Sequence, residues 1–96
     1  MPTKIIITPT AFKEIQQSID YYNKAQKGLG KKFKLAVDNI FNQLKTTPKS
    51  GSFIYDNCRY RVVKTFPFII IYEVKEDNQI FVYRIFNTSK NPFWLQ

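Results

Sequence analysis

The sequence predicts an α+β domain in the order β-α-α-β-β-β-β, with a helical hairpin packed on one face of a mainly antiparallel sheet. Three observations lead there. Residues 9–45 carry two apolar stripes at helical spacing, separated by Lys27-Gly28-Leu29-Gly30. Residues 52–86 carry four strand-like runs divided by segments of hairpin length, and a leading run, Lys4 to Ile7, precedes everything. A block of helices followed by a block of strands points to an α+β arrangement rather than to alternating βαβ units. At 96 residues one domain, 1–96, is expected, of a size that buries about 60–65% of its unfolded surface.

Each element has its own signal. Thr8-Pro9 starts the first helix, with Thr8 as N-cap and Pro9 at the first helical position, where the missing N–H costs nothing. Phe12, Ile15, Ile19 and Tyr22 recur at spacings of three and four and form one stripe, which ends near Gln26. In the second helix Leu29, Phe33, Ala36, Val37, Ile40, Phe41 and Leu44 form a wider face of the same period. Thr46-Thr47-Pro48-Lys49-Ser50-Gly51 then stops and turns the chain. The strands are predicted at Ser52–Tyr55, Cys58–Thr65, Phe68–Val74 and Gln79–Phe86. Phe68–Val74 is apolar almost throughout, as a central strand covered on both faces would be.

Turn lengths give an expected register. A tight Phe66-Pro67 turn places Arg61 opposite Tyr72 and Val63 opposite Ile70. A four-residue Lys75–Asn78 loop places Tyr72 opposite Phe81 and Ile70 opposite Tyr83. One face then holds Phe68, Ile70, Tyr72, Phe81, Tyr83 and Ile85. The other holds Tyr60, Val62, Ile69, Ile71, Ile80, Val82 and Phe86, with Lys64 and Arg84 among them. Two helices cover one face only, and the sequence does not say which. The second apolar face calls for the C-terminal tail, another copy or a partner chain.

Composition excludes several kinds of chemistry. The chain has no histidine, which removes the commonest general base and metal ligand. Its single cysteine, Cys58, excludes an internal disulfide and a multi-cysteine zinc site, and is read as a packed core side chain. No cofactor or metal is expected. No apolar run approaches the roughly 20 residues of a membrane span, and Met1–Thr10 lacks the apolar stretch of a signal peptide. A cytoplasmic location is expected. The net charge of +8 attracts polyanions or an acidic protein. Lys24, Lys27, Lys31, Lys32 and Lys34 crowd around the Gly28/Gly30 break and are read as a solvated corner.

The second half carries a family likeness. Arg59-Tyr60-Arg61 precedes Phe66-Pro67-Phe68, Ile70-Ile71-Tyr72 follows, and the tail reads Asn87-Thr88-Ser89-Lys90-Asn91-Pro92. Together with the opening strand, the Thr8-Pro9 helix start and the Pro48-Lys49-Ser50-Gly51 exit, this order resembles the RelE/ParE superfamily of bacterial toxins. The Arg59-Tyr60-Arg61 and Phe66-Pro67-Phe68 pieces look more like its ParE branch. The resemblance implies the toxin of a type II toxin–antitoxin pair, of the kind associated with plasmid stabilization, neutralised by an acidic antitoxin in a hetero-oligomer. ParE-like members poison DNA gyrase, whereas RelE-like members cleave messenger RNA on the ribosome.

Cutting RNA through the 2′-hydroxyl needs a proton acceptor, a cation for the phosphorane and an acid for the leaving oxygen. The resembling nucleases place an arginine just before the aliphatic-aliphatic-Tyr motif, where this chain has Ile69, and a His or Arg near the end, where it has Asn87. Intrinsic catalysis is therefore not expected. If the chain were an endoribonuclease, its groups would come from Arg59, Arg61, Lys64, Arg84, Asn87 and Lys90. Arg59 and Arg61 have a structural alternative, pairing with Asp56 or Glu73. Antitoxin contacts are expected on the second face, at Tyr60, Val62, Ile69, Ile71, Val82 and Phe86, and at Trp94. The alternative to a toxin is a degenerate binding module.

Overall fold

The computed structural model describes residues 3–92. The chain runs β1 (Lys4–Ile7), α1 (Pro9–Ala25), α2 (Leu29–Thr46), β2 (Ser52–Tyr55), β3 (Cys58–Val62), β4 (Phe68–Lys75) and β5 (Gln79–Asn87), in the predicted order. The strands form one sheet, β1-β5-β4-β3-β2, antiparallel except where β1 runs parallel to β5.

Thr8 does two jobs. Its hydroxyl oxygen caps α1 by accepting from the Ala11 N–H at 3.3 Å, and it donates to the Val82 carbonyl at 2.9 Å. The start of α1 is thereby fixed against β5. At the other end of the hairpin Gly28 has φ 86, a left-handed conformation that favours glycine. Gly30 lets the helices meet: a Cβ there would lie 2.5 Å from the Ile19 carbonyl oxygen. The Asn23 side chain accepts from the Gly30 N–H at 2.9 Å, supplying a cap that Gly28 cannot.

The core lies between the hairpin and one sheet face. Ala11 and Ile15 of α1, with Phe33, Val37, Ile40, Phe41 and Leu44 of α2, pack on Phe68, Ile70, Tyr72, Ile80, Val82 and Ile85. The α1 stripe therefore begins at Ala11 rather than at the predicted Phe12, which is 56% exposed, while Ile15, Ile19 and Tyr22 keep their place on it. Phe33 is enclosed by rings, with centroid distances of 5.4 Å to Tyr22, 5.2 Å to Phe66 and 4.9 Å to Phe68.

The sheet register departs from expectation at both later turns. β3 stops at Val62, three residues earlier than predicted, because residues 63–67 form a longer turn. Val63 N donates to the Phe68 carbonyl at 2.9 Å, and Thr65 takes φ 71. Arg61 consequently faces Ile70, and Arg59 faces Tyr72. The slip is two residues, so no side chain changes face.

The β4–β5 loop has three residues, Glu76 to Asn78, with Asp77 and Asn78 both left-handed, so Tyr72 meets Val82. This one-residue change exchanges faces over residues 80–83. Ile80 and Val82 enter the helix-side core, and Phe81 and Tyr83 turn to the other face. A bulge opposite Ile71/Tyr72 then inserts one residue into β5 and restores the expected faces of Arg84, Ile85 and Phe86.

Candidate functional site

The open face of the sheet carries a second, smaller cluster. Cys58, Ile69, Ile71 and Phe86 are buried there, with Ile54, Tyr55, Tyr60 and Tyr83 packed against them. The predicted set Tyr60, Val62, Ile69, Ile71 and Phe86 does share this face, but Val82 does not. Trp94 lies outside the described residues. Ile71 has no exposed surface, whereas Val62 is 62% exposed. The face therefore meets solvent through Val62 and, in part, through its tyrosines, Ile54 and Phe81, while Ile69 and Ile71 are buried.

One end of this face is polar. The Tyr83 hydroxyl donates to Glu73 Oε1 at 2.8 Å, and Lys75 Nζ lies 3.2 Å from the same oxygen. The hydrogen bond from Tyr83 holds the Glu73 carboxyl below its ordinary value. Burial, with the Glu73 carboxylate beside it, pushes the Tyr83 phenol up to about 12. Burial also raises the Cys58 thiol, keeping it protonated and a poor nucleophile, as its packed position suggests.

A phenol raised above its ordinary value of 10.0 binds its proton more tightly in the folded chain than in the unfolded one. The stability it lends is complete below about pH 10 and is lost as pH rises through about 12. Urea titrations across that range should therefore show a steeper alkaline loss for the wild type than for Tyr83→Phe. Parallel profiles would mean that Tyr83 does not report this environment.

The candidate polar residues divide into two groups. Arg59 donates to the Gly51 carbonyl at 2.8 Å and the Lys49 carbonyl at 3.2 Å, with its guanidinium 4.0 Å from the centroid of the Phe53 ring. Arg61 donates to Ser50 Oγ at 2.9 Å and to Gln43 Oε1. Neither pairs with Asp56 or Glu73 as the structural alternative envisaged. Both instead bind the chain that links α2 to β2, where Tyr72 also donates to the Pro48 carbonyl and accepts from the Gly51 N–H, each at 2.9 Å.

The second group lines a groove of about 440 Å³ between α1 and the end of β5, to which Glu14, Gln17, Tyr21, Arg84, Asn87 and Lys90 contribute. Arg84 grips Glu14 in a two-pronged pair, Nε at 3.0 Å from both carboxylate oxygens and the terminal nitrogen 2.7 Å from Oε2. Glu14 Oε1 also accepts from the Ile85 N–H at 3.0 Å. These bonds raise the Arg84 guanidinium further above its ordinary value. Asn87 Oδ1 accepts from the backbone N–H and the hydroxyl of Ser89. Lys64 stands apart from this groove on the β3–β4 turn. Among the described residues no cluster of His, Cys, Asp and Glu could hold a metal ion. None of their helices is long and apolar enough to cross a membrane.

The model of the family described as the ParE toxin of the type II toxin-antitoxin system, parDE, matches residues 5–92. The chain belongs to this family. Its fold is also similar to a chain of the chromosomal ParDE TA system from P. aeruginosa, with 21% identity and a TM-score of 0.67. That likeness covers 88% of this chain and 95% of the other. No curated protein matches the chain. In this ParE-family domain sequence reasoning missed Tyr83, which it placed on the other face, and Glu14. Its partner Arg84 lies 70 positions away, and a lone glutamate on the polar flank of a helix gives no signal of that contact.

Proposed function

We propose that the chain is a type II toxin that acts on DNA gyrase rather than by cutting messenger RNA, and that an acidic antitoxin neutralises it. The match to the ParE toxin family over residues 5–92 carries this reading. The disposition of the polar groups supports it. Arg59 and Arg61 serve the α2–β2 link, Arg84 serves Glu14, and the Asn87 side-chain oxygen is engaged by Ser89. A nuclease site would bring a proton acceptor and cations to one phosphate. Here the arginines are split between two places, and Glu14, the carboxylate that shares a groove with Arg84 and Lys90, is taken up by the Arg84 guanidinium and the Ile85 N–H.

For the antitoxin, the open face offers Tyr60, Val62 and Tyr83 over a buried apolar layer, on a domain of net charge +8. An acidic, partly apolar segment that folds on binding suits it, with Trp94 as a further contact. Apolar contacts should set the dissociation rate, and charge should speed association.

Expression without a partner should slow growth and cause gyrase-linked DNA breaks with a DNA-damage response. Rapid loss of protein synthesis on intact DNA, with discrete message cuts that vanish in Arg61→Ala, would overturn the gyrase reading. The acidic product of an abutting gene should bind with about nanomolar affinity. Val62→Asp, at an exposed position, should leave the fold intact and speed dissociation. Unchanged dissociation would move the antitoxin off this face.

A further inference from the structure

The charge of this domain is arranged by the fold into two poles. Residues 21–37 hold five lysines and no acidic residue. Their hairpin tip sits over the β3–β4 turn, since Phe66 meets Tyr22 and Phe33 edge-on at 5.0 and 5.2 Å between centroids. That turn carries exposed Lys64. The segment after β5 reaches the same end, where Thr88 N donates to the Pro67 carbonyl at 2.7 Å, and it brings exposed Lys90. The far end of the sheet holds Asp56 in the β2–β3 turn, Glu73 near the end of β4, and Glu76 and Asp77 in the β4–β5 loop, against two lysines, Lys4 and Lys75. β4, eight residues long, separates the ends by roughly 26 Å at the rise of a strand. That is about three screening lengths at physiological salt, so the acidic end does not neutralise the basic one.

Fold stability accounts for only one lysine of the basic pole, Lys24, whose charge suits the last turn of α1. Lys31 and Lys32 lie in the first turn of α2, where a positive charge opposes the helix dipole, and the N-cap Gly28 offers no side-chain acceptor. Of the five tip lysines only Lys34 has an ion-pair partner among the described residues, Asp38 at 2.8 Å. We infer that this pole, formed by Lys24, Lys27, Lys31 and Lys32 with Lys64 and Lys90 beside them, binds the phosphate backbone of duplex DNA without regard to sequence.

The chemistry favours phosphates over an acidic protein. Residues 23–32, which carry Lys24, Lys27, Lys31 and Lys32, expose no large apolar side chain that could anchor a protein interface; the exposed Tyr21 and Leu35 of the same segment lie to either side of them, on α1 and α2. Lysines on flexible stems are point charges that tolerate the varied positions of successive phosphates. The chain's three arginines, better suited to two-pronged recognition of carboxylates, all engage protein acceptors elsewhere. Duplex binding of this kind requires no assumption about gyrase.

Fluorescence anisotropy of a labelled random-sequence duplex, titrated with the full chain at several salt concentrations, tests it. Changing Lys24, Lys27, Lys31 and Lys32 to Gln should weaken binding at least about tenfold at low salt. The slope of log affinity against log salt should become shallower by about 3 to 4. Changing Lys4, Lys13, Lys45 and Lys49 to Gln removes the same net charge away from the pole and should alter both far less. Equal losses in the two variants, an unchanged slope, or poly-glutamate binding as tight as duplex binding would each overturn the assignment. The tip variant should melt close to the wild type, because losing Lys31 and Lys32 removes charges that oppose the α2 dipole and offsets the loss of Lys24 from the last turn of α1. Should it nevertheless fail to fold, the Lys24→Gln/Lys27→Gln pair should make the slope shallower by about 2.

Discussion

Phe33→Ala is expected to cost the fold about 3–5 kcal/mol, the range for removing a buried aromatic ring. Phe33 has no exposed surface and touches both helices and the sheet at once. Its ring meets Tyr22 of α1, Phe66 of the β3–β4 turn and Phe68 of β4. Edge-on contacts of this kind add to the burial of area. The cavity would be walled by two helices pinned together at Gly30 and by a sheet, so little can collapse into it. In a domain of this size the loss should lower Tm by at least about 12 °C, with urea denaturation giving the free energy. A cost below about 1 kcal/mol would mean that the ring cluster does not join hairpin to sheet.

The second large effect is expected at Glu14. Its carboxylate answers two needs created where β1 ends. β1 pairs with β5 only as far as Val82, so the edge of β5 beyond that point lacks a neighbouring strand. Glu14 accepts the Ile85 N–H there and holds the Arg84 guanidinium. Glu14→Ala leaves a backbone donor and a cation without their acceptor. The side chains are 30% and 21% exposed, so solvent offsets part of the loss. The cost should be about 1–3 kcal/mol, below the range for a fully buried pair. Glu14→Gln keeps one acceptor oxygen and should lose less. Hydrogen exchange gives the specific readout: the Ile85 amide should lose protection in Glu14→Ala more than amides at the centre of β4. Uniform loss across the sheet would show that Glu14 supports the fold only in a general way.

Local signals carried most of the architecture into the sequence. Thr8-Pro9 and the Gly28/Gly30 break marked the helices because capping and close approach are demands met by particular residue types. The hairpin-length turns marked the strands. Register was harder, because it depends on loop length to a single residue. Lys75-Glu76-Asp77-Asn78 reads as a four-residue loop until Asp77 and Asn78 are seen to be left-handed, which lets Lys75 pair with Gln79. That difference moved Val82 from the expected antitoxin face into the core. The bulge in β5 has no sequence mark at all, yet it explains why the assignments of Arg84 and Phe86 held while those of Phe81 and Tyr83 did not. Of the candidate site, the open-face residues from β3 and β4 were legible as an alternating pattern. The Glu14–Arg84 pair was not, since nothing local links a helix flank to a strand so far along the chain.

The parallel pairing of β1 with β5 also orders events in time. Ile5 meets Ile80 and Ile7 meets Val82, so β1 must wait for β5 before it can pair. The helical hairpin has its own partners early, but Ile80, Val82 and Ile85 arrive only with β5, and the core lacks its sheet-side layer until then. A nascent chain halted before β5 holds an unpaired β1 and an uncovered hairpin face. The domain thus cannot complete its sheet until β5 has been made, and a growing cell does not meet the folded domain before then.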